Sequence, residues 1–349
     1  MRTDRLQIFI VTYNRLGCLR ETFAQLLSEG SPVRNCEIIV LDNRSTDGTA
    51  AFVRGIAESH ANVRLVTHSR NIGGNANICR AMELASRDYY WILGDDDILD
   101  FGNWSEVEAA MDRDEQAICL SRYILPDDSR DDVARQLVQA TFITGMIIRT
   151  SLLTDTVVSE AYNRVYTLFP QITPLVSLVN AGGRIYVVRE RIVDNGDRGT
   201  GAKDVSYTRG SVLDEVSPYA RNQMWITGWA AAIAALHDSG LRERALMAGA
   251  SAILSALGDG RNAESTVIHL LRRYMGCRRL LPLPAFVFAV APASLRRKIG
   301  LRLMLWLVLG FDDIWILKRA LYRIEAFCLP WRRKSCQEKL SHYRSRFVS

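Results

Sequence analysis

Between residues 6 and 193, short apolar runs alternate with stretches in which apolar residues return every three or four positions. The runs at 7–11 and 37–41 read as buried strands, and those at 63–66 and 89–93 as further strands. The stretches 16–27, 49–57 and 75–85 have helical spacing. Strands separated by helices imply right-handed βαβ crossovers and a mostly parallel α/β sheet flanked by helices. Further on, 142–149 and 184–191 read as late strands, with 170–180 partly helical between them.

At 194–210 the pattern breaks: four glycines and no apolar periodicity predict a loop. Beyond it, 219–237 and 242–257 are rich in alanine and leucine and read as helices, and from Arg272 onward arginine is interleaved with bulky apolar residues. The expected organisation is an α/β domain over 1–210 and a helical, basic extension over 211–349, which suits a chain of 349 residues.

Composition changes this picture only slightly. Hydrophobic residues make up 48% and charged residues 23%, ordinary values for a folded chain with a sizeable core. The formal charge of +6 favours an anionic partner, and its location decides which one. Basic clusters crowd the C-terminal third. No nucleic-acid partner is expected. The cysteines, at 18, 36, 79, 119, 277, 328 and 336, include no CxxC pair and are odd in number. That spacing suggests neither a zinc site nor a disulfide framework, but small buried residues in a reducing compartment. The N-terminus is charged and lacks the long apolar stretch of a signal peptide, so a cytoplasmic location is expected.

Four segments carry candidate chemistry. In IFIVTYNR a strand ends in Thr12, Tyr13 and Asn14, and ligands of open parallel sheets bind outside such ends. Tyr13 could stack a base; equally, Asn14 could simply cap the next helix. In IIVLDNRSTDGT, Asp42 stands at a strand end, where a carboxylate can accept from a ribose hydroxyl or a base N–H. A well-made turn capped by Asp47, with Gly48 free to take positive φ, explains Asp47 but not Asp42. In RNIGGNAN, Asn71, Gly73 and Gly74 precede a helix whose free N–H groups could meet a phosphate, or they form an ordinary loop and helix start. In YYWILGDDDILD an apolar strand runs into Asp95, Asp96 and Asp97. Three adjacent carboxylates repel one another unless a cation compensates them, and hard oxygen ligands suit Mg²⁺ or Mn²⁺.

In this order and spacing the four segments resemble the inverting family 2 glycosyltransferases of GT-A fold, over residues 6–195. The matching motifs are Thr12-Tyr13-Asn14, then Asp42 through Thr49, then Asn71 through Asn75, then Asp95 through Asp97. The GDDD form looks most like bacterial transferases that build O-antigen and capsule, abequosyltransferase-like members among them. The resemblance implies a nucleoside-diphosphate sugar donor and a saccharide acceptor, lipid-linked in such systems. It implies that Tyr13 and Asp42 hold the base, that Asp95 to Asp97 hold ribose and metal, and that Asp96 and Asp97 are the ligands of Mg²⁺ or Mn²⁺.

Inverting transfer also needs a base for the acceptor hydroxyl. Where the family places an acidic residue, this chain carries Gln171, which cannot serve. Asp155, Glu160, Asp194 and Asp197 are the other acids within reach. Glu160 is the expected base, because Tyr162, Tyr166 and Phe169 follow it and could stack a sugar ring. No QxxRW motif is present, which favours transfer of one sugar at a time. Two other readings stay open: a nucleotidyltransferase of related architecture, although the Gly-rich basic loop typical of those enzymes is missing after the first strand, and a degenerate transferase acting as an assembly scaffold.

The C-terminal stretches 280–291 and 301–311 are about half the ~20 apolar residues that a spanning helix needs. Arg272-Arg273, Arg278-Arg279, Arg296-Arg297-Lys298 and Arg332-Arg333-Lys334 flank them, with Trp306, Trp315, Trp331 and Phe288 nearby. This suits helices lying in the surface of an anionic leaflet, on the inner face of the cytoplasmic membrane, or else a helical subdomain with a solvated basic face. Removing the residues after 270 is expected to release the protein from anionic liposomes, and salt is expected to weaken binding of the full chain. Co-sedimentation checks both; a full chain that stays in the supernatant would make the segment a packing element.

Overall fold

A computed structural model describes residues 4–120, 132–194, 225 and 228–256. β1 (Leu6–Thr12), β2 (Glu37–Asp42), β3 (Val63–Thr67) and β4 (Tyr89–Gly94) are parallel neighbours in the order β3-β2-β1-β4. They are joined by α1 (Leu16–Leu26), α2 (Thr49–Ser59) and α3 (Gly74–Leu84). These are the strands and helices that the apolar pattern predicts, and they form the first half of a mostly parallel sheet.

Both faces of β1, β2 and β4 are covered, whereas β3, at the edge of the sheet, has only Val63 buried. Ile8, Ile10, Ile38, Val40, Tyr89, Trp91 and Leu93 alternate toward one face, where they share a core with Leu19 and Phe23 of α1 and Val53 of α2. Trp104 and Val107 of α4 (Trp104–Asp112) complete that core. The residues between, such as Phe9, Ile39 and Ile92, are equally buried and belong to the opposite face, where α3 packs on β1 and β4. Double coverage is why these strands read as continuous apolar runs.

The second half departs from the prediction. After the two-residue β5 (Ile98–Leu99) and α4 come β6 (Ala117–Cys119), α5 (Val133–Gln139) and β7 (Met146–Arg149). β7 runs antiparallel to both β4 and β6, whereas β8 (Tyr186–Val187) is parallel to β6. Among the described residues the sheet has seven strands, of which only β7 is reversed. The expected strand at 142–149 is cut short because Ile143–Gly145 forms a 3-10 turn. There the Thr144 carbonyl accepts from Trp91 Nε1 and its hydroxyl from the Gly94 N–H, each at 2.8 Å, and these bonds hold the backbone out of the ladder. The expected strand at 184–191 shrinks to β8, because Glu106 on α4 takes both the Tyr186 hydroxyl and the Arg189 N–H at 2.8 Å.

α6 (Asp155–Asn163) and α7 (Thr173–Asn180) pack beside one another, and α6 also lies against α3. β9 (Val193–Asp194) then returns to pair with β5, with Ile98 opposite Asp194. Residues 228–233 and Ser239–Ala256 are helical, in the regions where the sequence predicts helices. Trp229 stacks edge-on against Phe169 and donates to the Ala245 carbonyl at 3.0 Å, which docks the first of these helices. The boundary expected at 210, Asp197 and the arginine-rich stretch lie outside the described residues. Among the described residues no helix is long and apolar enough to cross a membrane. Cys18, Cys36, Cys79 and Cys119 are buried, as expected for small core residues, and burial pushes the Cys36 and Cys79 thiols up to about 12.

Thr144 is fully buried and ties β4 to the turn before β7. Thr144→Val keeps the shape but strands the Gly94 N–H and an oxygen of Asp97, which accepts from the same hydroxyl. A loss of about 2–4 kcal/mol is expected, measured by urea unfolding; a change under about 0.5 kcal/mol would mean that water replaces the hydroxyl.

Candidate active site

Parallel pairing brings the carboxyl ends of β1, β2 and β4 to one edge. Thr12 lies opposite Asp42, and Val11 opposite Gly94. The acid run therefore begins beside Thr12, whose hydroxyl donates to Asp95 Oδ2 at 2.6 Å. Asp95 is 2% exposed, and its other oxygen meets Arg15 Nη1 at 2.9 Å. Arg15 Nη2 reaches Asp96 Oδ2 at 2.5 Å. The cation that three adjacent carboxylates require is thus supplied by the chain itself.

Burial raises the Asp95 carboxyl to about 6 and outweighs the opposing pull of Arg15 and Thr12. Arg15 is desolvated too, but two carboxylates hold its guanidinium more firmly protonated than usual. Sequence reasoning missed Arg15, although it directly follows the Thr12-Tyr13-Asn14 motif. Thr22 and Gln25 of α1 were missed as well. They fix the backbone of the acid run, donating to the carbonyls of Asp95 at 2.8 Å and Asp97 at 3.2 Å.

Gly94 explains how the run folds. A Cβ at this position would stand 2.7 Å from Asp97 Oδ2 and 3.4 Å from Asp96 Oδ1. The missing side chain leaves a cradle into which both carboxylates turn. Asp97 is 4% exposed and accepts from Thr144, whereas the Asp96 side chain is 28% exposed and faces outward. Among the described residues no group of three or more His, Cys, Asp or Glu side chains is placed to hold a metal on protein ligands alone.

A polar net joins the other loops to this edge. Asn14, at φ 53°, does not cap α1; its side-chain carbonyl accepts from the Thr46 N–H at 2.7 Å, and its own N–H donates to Ser45 Oγ at 2.8 Å. Asp47 bridges the starts of two helices, accepting from the Leu16 N–H at 2.9 Å and the Thr49 hydroxyl at 2.6 Å. Burial works against its charge, but these donors prevail and hold its carboxyl below the ordinary range. Asn71 Oδ1 accepts from Asn43 Nδ2 at 2.7 Å and from the Gly73 N–H at 2.9 Å. Gly73, at φ 83°, then turns the chain into α3, which starts at Gly74. Tyr13 is half-buried at the mouth of this net. Asp42 is fully buried: Oδ1 accepts from the Ser45 N–H at 2.9 Å, while Oδ2 has no partner.

The acceptor-side expectations fare differently. Glu160 lies exposed on α6, paired with Arg164 at 3.2 Å. Arg164 in turn caps the carbonyls of Ala231 and Ala232 at 3.1 Å, which makes this pair part of the docking of helix 228–233. Phe169 is buried against Trp225 and Trp229 and offers no face to a sugar. Tyr162 donates to Glu83 on α3 at 2.6 Å, and Tyr166 is 67% exposed. Gln171 is buried and donates to the carbonyls of Ala140 and Thr141 at 3.4 and 3.3 Å, a structural role. Of the acids weighed, Asp194 is the one whose backbone pairs beside the acid run, opposite Ile98.

Comparison with known proteins agrees with this geometry. One relative, abequosyltransferase RfbV of Salmonella typhimurium, is 34% identical over 92 residues, a stretch that spans 26% of this chain and 27% of that protein. Two solved structures share the fold at a TM-score of 0.53. Mannosyltransferase PcManGT from Pyrobaculum calidifontis, in complex with GDP-Man and Mn²⁺, is 18% identical and covers 88% of this chain and 85% of its own. S. aureus TarS in complex with UDP-GlcNAc is 14% identical and covers 88% and 90%. Residues 7–168 match the model for glycosyl transferase family 2, and the fold is the GT-A fold of these solved structures.

Proposed function

We propose that the chain is a glycosyltransferase that moves a single sugar, with inversion, from a nucleoside-diphosphate sugar to a saccharide acceptor in the building of bacterial surface polysaccharide. The observation that carries this reading is the junction of Thr12, Asp42 and Asp95 on adjacent strand ends, with a fully buried Asp42 oxygen that lacks a partner. A buried carboxylate oxygen without a donor is costly, and a base N–H or ribose hydroxyl would satisfy it. Tyr13 beside it offers a face for the base. Gly73 and Gly74 allow the backbone and the start of α3 to approach the diphosphate. The names of the relatives support the donor class: an abequosyltransferase, and structures carrying GDP-Man with Mn²⁺ and UDP-GlcNAc.

The residues at Gly94 fit a divalent ion. Two carboxylates, Asp96 and Asp97, turn oxygens into one cradle, and Mg²⁺ or Mn²⁺ is commonly held by one or two carboxylates together with substrate phosphates. Asp96 would bind from the open side and Asp97 from the buried side. What the ion supplies when bound is charge stabilisation on the leaving diphosphate. Asp95 keeps Arg15 in place, and Thr12 keeps Asp95 in place. The basic C-terminal stretch supports an acceptor carried on lipid at the inner face of the cytoplasmic membrane.

Release of free nucleoside diphosphate over a panel of nucleotide sugars tests the assignment. Asp96→Ala is expected to abolish turnover with the fold intact, and EDTA to inhibit until Mn²⁺ or Mg²⁺ is restored. Asp42→Ala is expected to weaken binding of the matching nucleoside diphosphate by about 1.5–3 kcal/mol in calorimetry. Full activity in EDTA, or unchanged affinity, would remove the corresponding role.

For the proton acceptor, the pairing of β9 with β5 favours Asp194 over Glu160. Asp194→Asn is expected to lower turnover about a hundredfold or more with donor affinity unchanged. Glu160→Gln is expected to keep turnover and lose at most ~1 kcal/mol of stability, as for an exposed ion pair. The reverse pattern in single-turnover kinetics would return the role to Glu160.

A further inference from the structure

Arg15 occupies one of the two carboxylates to which the reading above gives the divalent ion, and the inference that follows rests on that reading. The two arms of the guanidinium differ. Nη1 holds Asp95 Oδ1 at 2.9 Å, on a carboxylate that is itself buried and pinned by Thr12. Nη2 holds Asp96 Oδ2 at 2.5 Å, on a side chain 28% exposed. The third donor, Nε, is buried without a partner. The guanidinium is therefore anchored at one end, replaceable at the other, and one acceptor short.

We propose that Arg15 is a resident counter-cation that competes with the divalent ion for Asp96 and passes to the donor's diphosphate when the ion enters. With neither ion nor donor present, Arg15 pairs with two of the three carboxylates and offsets part of their charge at the strand end. An incoming ion has to take Asp96 from Nη2, so the ion alone binds weakly. A diphosphate offers the displaced arm new acceptors, and phosphate oxygens suit a guanidinium fork. Ion and nucleotide then strengthen one another's binding, and that coupling is reciprocal. Asp95 serves as the pivot, because its contact is unaffected by the exchange. Arg15 thus acts on Asp96 before the donor arrives and on the diphosphate afterwards.

Free Mn²⁺ is followed by its electron paramagnetic resonance signal while the full chain is titrated, with and without UDP or GDP. The proteins are the native chain, Arg15→Gln, Arg15→Lys and Asp96→Asn, each checked by thermal unfolding. Arg15→Gln is expected to bind Mn²⁺ alone about tenfold more tightly, the equivalent of one charge-assisted hydrogen bond no longer displaced. UDP or GDP should then raise Mn²⁺ affinity less than in the native chain. Arg15→Lys keeps the charge and loses the fork, so it is expected to gain a smaller factor of about two to five; it carries the comparison if Arg15→Gln does not fold. Equal or weaker Mn²⁺ binding by the Arg15 variants, with binding abolished in Asp96→Asn, overturns the proposal and leaves the metal site standing. If Mn²⁺ binds no chain, or binds Asp96→Asn as well as the native one, both fall.

Discussion

The ion pair between Arg15 and the carboxylates of Asp95 and Asp96 is the interaction on which the rest of the site depends. An apolar strand that ends in three acids at the sheet edge would otherwise expose its last residues to water and draw them out of register. With Arg15 folded over them, Asp95 is buried at the end of β4, next to Thr12, and β1 and β4 keep their pairing to the last residue. The charges balance incompletely: burial wins over the guanidinium at Asp95, whose carboxyl rises to about 6. An arrangement of this kind is tuned to receive something more, since a site fully satisfied by its own side chains would have little to gain from a ligand.

Preorganisation extends outward from that pair. Asn14, Asp47, Asn43 and Asn71 link the loops after β1, β2 and β3 to one another through side-chain hydrogen bonds. Most polar side chains at this edge are thus committed to holding shape, and the exceptions are informative. One oxygen of Asp42 is left over, and Nε of Arg15 is buried without a partner.

The first hundred residues were legible because β1, β2 and β4 are buried on both faces and each crossover helix has a plain apolar stripe. Their motifs gave the right edge and the right neighbours. The second half was less legible, for identifiable reasons. β6 and β8 are three and two residues long, too short to show a period. β7 was read four residues too long because the polar constraint on Thr144 comes from β4, far away in sequence. The stripe of α4, at Trp104, Val107, Ala110 and Met111, was present but overlooked among its acids. Within the site, Tyr13, Asp42 and Asp95 could be read from their places at strand ends. Arg15 could not be told from a solvated arginine, since its partners lie eighty positions on. Glu160 was chosen from the aromatic residues that follow it, and the fold turns that stretch to a helix-docking role instead.

Thr144 also bears on the order of assembly. The three carboxylates, the arginine that pairs with two of them and the linked polar loops all lie within residues 12–97, made before residue 144. Its last fastening, the hydroxyl that joins the Gly94 N–H to Asp97, arrives only with residue 144, in the 3-10 turn that precedes β7. A nascent chain stopped between these points would carry this edge without the hydroxyl that the Gly94 N–H and Asp97 share. The turn before β7 therefore ties completion of the edge to arrival of the half of the domain that follows it.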